Sequence, residues 1–133
     1  MTDYFNMRFS TDELRSISVL GLAHVGDAVY DLLVRSWLCS RGRKTSRDLH
    51  RETVSLVNAP AQAKAAERIM DALSEEEQTA FRRGRNAKVN SIPKNADIAE
   101  YHAATGLETL FGYLYLKGER NRLSELFGQI VEE

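Results

Sequence analysis

One unbroken helical repeat constrains this chain more than anything else in it. From Ile17 to Cys39, Val19, Leu22, Val25, Val29, Leu32, Leu33 and Trp37 recur around Leu20 at a spacing close to i, i+3, i+4, i+7. That is the pattern of a helix that buries a face. Asp27 interrupts it, inside Gly26-Asp27-Ala28. At about 100° per residue, Leu20, His24, Asp27, Asp31 and Arg35 share one stripe, so Asp27 has polar company on an otherwise apolar helix. An ionised carboxylate so placed needs a metal, a hydrogen-bond network or a cation. Pairing with a buried arginine, or capping a neighbouring element, would also satisfy it.

Further periodic segments follow, with few β-branched alternations, so the fold expected is all-α. The 133 residues are 43% hydrophobic, with two prolines and eight glycines and no linker-like run. One domain spanning 1–133 is therefore expected, since two would each be marginal. Cys39 is the single cysteine, which excludes an internal disulfide framework, and no histidine lies near it to make a thiol nucleophile. His24, His50 and His102 fall in separate segments without zinc-ligand spacing. With no signal peptide and no apolar run of about 18 residues, a soluble cytoplasmic protein without a membrane partner is expected.

In chain order, aromatic Met1–Ser10 is expected to pack onto the domain, and Ser10-Thr11-Asp12-Glu13 to start a first short helix. The central helix should close near Ser40-Arg41-Gly42. Thr45 offers the next cap, and Leu49, Val54, Leu56, Val57 and Ala61 carry an apolar face toward Ile69, Met70 and Leu73. Pro60 splits this region into two helices near Asn58-Ala59-Pro60, the second Ala-rich. A helix starting at Ser74 runs into Phe81-Arg82-Arg83-Gly84-Arg85-Asn86, where Gly84 and Asn86 read as its stop. Asn95 is expected to cap a helix Ala96–Lys117, with Leu107, Leu110, Phe111, Leu114 and Leu116 as core, and Asn121–Val131 closes the chain.

Two features of this layout bear on function. Although the net charge is −1, Arg41, Arg43, Lys44, Arg47 and Arg51 form one basic segment and Arg82, Arg83, Arg85, Lys88 and Lys94 another. They suggest a polyanion-binding face, with solvated loops as the alternative; Ala87–Lys94 reads as a basic loop longer than a bare connection. Second, Glu108 is a lone acid in the apolar half of its helix, as Asp27 is in the other, and Thr105 lies beside it. Gly26, Ala28, Gly106 and Gly112 would let these helices approach closely, so that both carboxylates could bind one hard cation, magnesium suiting their oxygens.

Leu22-Ala23-His24-Val25-Gly26-Asp27-Ala28-Val29-Tyr30 resembles the signature helix of the ribonuclease III endonuclease domain, and Gly106-Leu107-Glu108-Thr109-Leu110-Phe111-Gly112 resembles its second acidic helix. The match is nearest to Mini-ribonuclease III, the bacterial branch consisting of the catalytic domain alone. Its features recur in Arg82-Arg83-Gly84-Arg85-Asn86-Ala87-Lys88, in Ile92-Pro93-Lys94-Asn95-Ala96-Asp97 and in Tyr113-Leu114-Tyr115-Leu116, in the same order. Longer members of the family carry glutamates where this chain has Leu20 and Ala23 and an aspartate where it has Thr105; the Mini branch is reduced at these positions too.

The resemblance implies an all-helical endonuclease domain that forms a homodimer and cuts double-stranded RNA with Mg2+. Asp27 and Glu108 would be its catalytic, metal-holding acids, with Thr105, His24 and Asp31 behind them. No separate double-stranded RNA-binding domain is expected. RNA would then be held by Arg82, Arg83, Arg85, Lys88 and Lys94, together with Arg43, Lys44 and Arg47. The implied substrate is precursor 23S ribosomal RNA, with a ribosomal protein as a further partner. Two other readings stay open at this point: a non-catalytic RNA-binding member of the same fold, and a helical protein–protein module in which both acids are structural.

Overall fold

The computed structural model describes residues 1–89 and 91–132; Asn90 of the basic loop and Glu133 of the acidic tail lie outside them. The described residues form the helices α1 Thr11–Ser16, α2 Val19–Ser40, α3 Ser46–Val57, α4 Ala59–Ile69, α5 Glu75–Arg85, α6 Ile98–Lys117 and α7 Arg120–Val131, with a 3-10 turn at Met70–Ala72. The all-α expectation holds, and no helix among them is long and apolar enough to cross a membrane.

Most helix starts follow from side chains that satisfy otherwise unpaired backbone donors. Ser10 and Ser74 each form a reciprocal capping box, with Glu13 and Glu77 respectively. Asn58 serves two helices: its Nδ2 donates to the Val54 carbonyl at the end of α3, and its Oδ1 accepts from Ala61 N at the start of α4. Gly118 closes α6 at φ +90°, a conformation that glycine adopts without a Cβ penalty.

Helix α6 is the spine. Leu107, Leu110 and Phe111 are fully buried, and α2, α4 and α5 pack around them. A helix enclosed on all sides needs apolar residues all round, which this one has from Ala104 to Leu116 apart from Thr105, Glu108 and Thr109. Tyr30 of α2 sets its ring edge-on between Phe111 and Phe127, at 5.3 and 6.0 Å between ring centres. These pairs tie α2, α6 and α7 into one core. The N-terminal segment is pinned by its backbone, with Phe9 N donating to the Leu116 carbonyl at 2.7 Å, while the Tyr4 and Phe5 rings stay in solvent.

Close backbone approach governs how α2 meets α6. A Cβ on Gly26 would lie 2.7 Å from Gly112 N and closer still to the Glu108 carbonyl. Conversely, a Cβ on Gly112 would collide with the Leu22 carbonyl. Only glycine at both positions allows this crossing, and the crossing brings residue 27 of one helix beside residue 108 of the other.

The structure corrects several local expectations. Gly84 does not stop α5: it is buried within it, where its bare Cα accommodates the Thr109 side chain. Asn86 does end α5, as expected, and Arg82, Arg83 and Arg85 lie on its last turn. Helix α6 begins at Ile98, with Asp97 rather than Asn95 accepting from Glu100 N at 3.0 Å. Leu32 and Val54, expected on buried faces, are exposed.

Candidate functional site

Asp27 and Glu108 meet across the α2/α6 crossing, each carboxylate within hydrogen-bonding reach of the other. Asp27 is exposed and Glu108 half-buried, so the pair sits at the rim of the core with one acid facing solvent. No arginine or lysine pairs with either among the described residues, which removes the buried-arginine alternative for Asp27. Burial first, and then the Asp27 charge, push Glu108 up to about 8 from the ordinary carboxylate range. Two like charges so close disfavour the second ionisation, so the raised value belongs to the pair as a unit.

Two carboxylates forced together without a cationic side chain are a poor structural pair and a suitable donor set for a hard divalent cation. Among the described residues no third histidine, cysteine or acid joins them in a metal-holding cluster. His24 is exposed on the same helix. Asp31 is held along its own helix by Arg35, Nε to Oδ2 at 2.9 Å. Thr105 is buried one turn before Glu108, and its hydroxyl donates to the Tyr101 carbonyl at 3.1 Å.

Sequence reasoning missed Gln62. On α4 it shares a stripe with Ala65, Ala66 and Ile69, all buried, and it is itself only 2% exposed. Its side-chain amide lies against Glu108, where it favours the charged carboxylate. Nε2 is sealed from solvent and makes no hydrogen bond among the described residues. A signal was present: a glutamine at i, with apolar residues at i+3, i+4 and i+7, is a polar group on a core-facing stripe.

The basic residues divide. Arg43, Arg47, Arg82, Arg83, Arg85, Lys88 and Lys94 are exposed. Lys44 is not free: its Nζ pairs with the Glu52 carboxylate at 2.8 Å. Arg85 leans over the Phe81 ring at 5.9 Å, and Lys94 lines a groove with Ala59 and Pro60 at the start of α4.

Comparison with known proteins adds to this geometry. The family model described as Ribonuclease III domain matches residues 20–119. The chain is 49% identical over 121 residues to Mini-ribonuclease 3 of Thermoanaerobacter sp. (strain X514), covering 89% of this chain and 85% of that protein. It is 52% identical over 107 residues to Mini-ribonuclease 3 of Symbiobacterium thermophilum, covering 80% and 82%. Among solved structures, a protein from Fusobacterium nucleatum superposes with a TM-score of 0.82 at 28% identity, covering 92% of this chain and 98% of that one.

Proposed function

The chain belongs to the ribonuclease III family and is an endoribonuclease, and we propose that it cuts double-stranded RNA at a divalent cation, magnesium, held by Asp27 and Glu108. The single observation that carries this reading is the pair itself: two acids from distant parts of the chain, pressed together at a glycine crossing with no basic partner. When bound, magnesium supplies Lewis-acid charge neutralisation at the attacked phosphate and activates water for in-line hydrolysis. The P–O3′ bond breaks, leaving a 5′-phosphate and a 3′-hydroxyl.

The chain's own residues do the rest. Asp27, open to solvent, is the acid on the strand side; Glu108, behind it, is the acid whose proton must leave as the site loads. Their two charges offset those of the cation, so the loaded pair loses the repulsion it carries when both are ionised. Thr105, with its hydroxyl proton already committed to Tyr101, retains acceptor capacity toward ordered water at the site. Arg82, Arg83 and Arg85 on α5, with Lys88 and Lys94 beyond it and Arg43 and Arg47 before α3, contact phosphates. Recognition is then by A-form shape and 2′-hydroxyls more than by base sequence.

Two copies related by a two-fold axis would set one site against each strand, giving a staggered double cut. Leu20, Leu32, Val54 and Ile98 are the large apolar side chains left exposed on the helices and available to such a contact. The resemblance of the sequence carries the further reading that the natural duplex is precursor 23S ribosomal RNA in the cytoplasm, with a ribosomal protein nearby. The test is incubation of the purified chain with a long RNA duplex, with magnesium and then with a chelator. Cleavage to 5′-phosphate ends in the first alone supports the reading. An intact duplex that is nevertheless bound would favour a non-catalytic RNA-binding role.

A further inference from the structure

Gln62 occupies a position that the packing of the core does not explain. Its neighbours along α4 (Ala65, Ala66 and Ile69) are buried and apolar, and α4 packs directly on α6. Leucine or methionine would fill the same volume without burying a polar group. As it stands, the side chain takes Nε2 out of water and gives it no hydrogen-bond partner among the described residues. An arrangement of that kind is destabilising unless the donor finds a partner. Because Nε2 is sealed, RNA cannot reach it; what lies against it is the Glu108 carboxylate.

We propose that Gln62 is a positioning residue: its buried amide donates to the Glu108 carboxylate when the site takes up a divalent cation, fixing the orientation in which that acid faces Asp27. The inference rests on the reading of Asp27 and Glu108 as cation-holding acids and assigns Gln62 the role of setting how well they hold. Once both acids are committed to a cation, the carboxylate carries full charge beside the core, and a donor on its buried side completes its hydrogen bonding. The sealed Nε2 of Gln62 is such a donor.

Gln62→Met keeps the volume and removes the donor. Manganese affinity measured by titration calorimetry, paired with thermal unfolding in the absence of any divalent cation, separates positioning from packing. The proposal expects Gln62→Met to melt at or above wild type without cation, because an unpartnered amide has been deleted. It also expects manganese affinity to fall by about tenfold or more. Gln62→Leu is read in its place if the methionine variant does not fold. Unchanged affinity, within about twofold of wild type, overturns the proposal, as does loss of the fold in both variants, which would make Gln62 a packing residue only. If wild type itself takes up no manganese, the cation reading of Asp27 and Glu108 falls first and takes this one with it. If wild type binds and Gln62→Met matches it, only the role of Gln62 is lost.

Discussion

Replacing Asp27 by asparagine should change stability with a sign that depends on pH. In the folded chain Glu108 is pushed up to about 8, so it keeps a proton that an unfolded chain releases near the ordinary carboxylate value of 4.5. The folded state thus binds more protons over that range. The associated stability is complete below about pH 4.5 and is lost as pH rises through about 8. Above that, two like charges face each other. At a separation of about 4 Å and an effective dielectric of about 20 they repel by roughly 4 kcal/mol, which the exposure of Asp27 reduces to about 1–2 kcal/mol. Asp27→Asn removes this repulsion at similar shape. Without divalent cation, the variant should unfold about 1–2 kcal/mol later than wild type near pH 9, a rise of several degrees. Near pH 5, where Glu108 is protonated, it should be about 1 kcal/mol less stable, having lost the hydrogen bond from Glu108 to a charged acceptor. Urea or thermal unfolding at the two pH values measures both. A difference that does not vary with pH would refute the reasoning, because it would mean that the two carboxylates do not share one electrostatic environment.

Other perturbations reach other parts of the account. Gly26→Ala or Gly112→Ala should destabilise the fold by about 3 kcal/mol or more, read by thermal unfolding, since each new Cβ meets backbone rather than a movable side chain. Arg122→Ala should cost about 2–4 kcal/mol at neutral pH, because Arg122 holds both oxygens of the buried Glu77 carboxylate, at 2.8 and 2.9 Å. The same guanidinium lowers Glu77 below the ordinary carboxylate range, so that contribution is present at neutral pH and should disappear as acid titration protonates the carboxylate. Arg82→Ala combined with Arg85→Ala should weaken RNA binding and flatten its dependence on salt; an unchanged slope would remove the last turn of α5 from the contact surface. Sedimentation at working concentration should show a dimer, and an active monomer would contradict the paired arrangement.

How much of this was legible in the sequence depended on whether the deciding force was local. The central helix was legible because its period is long and its end is marked by Gly42; it begins two residues later than read, where the Ser18 side chain caps it. Ser10, Thr45 and Ser74 announced the helix starts they cap, since a cap is a contact across three residues. Gly84 misled because the signal for a helix stop and that for a close crossing are the same residue. What keeps α5 helical there is packing against Thr109, which no local pattern shows. Asn95 and Asp97 were both eligible caps two residues apart, and the turn in which Ala96 N bonds the Pro93 carbonyl delays the helix to the second. At the site, the two lone acids stood out against apolar faces, and the glycines beside them hinted at a crossing. Gln62 was passed over although Ala65, Ala66 and Ile69 mark its stripe as core-facing; that it faces Glu108 follows only from the position of α6. The pairing of Lys44 with Glu52 likewise joins a loop to a helix turn, and composition had placed that lysine among the free cations.

The central claim is that Asp27 and Glu108 act as one unit in cutting RNA. Its most direct test compares cleavage of a long RNA duplex at saturating magnesium by wild type, Asp27→Asn, Glu108→Gln and the double variant. The account predicts that each single change removes cleavage by on the order of a thousandfold or more and that the double variant is no worse than either. Losses that multiply, or a single variant that keeps most of its activity, would contradict it.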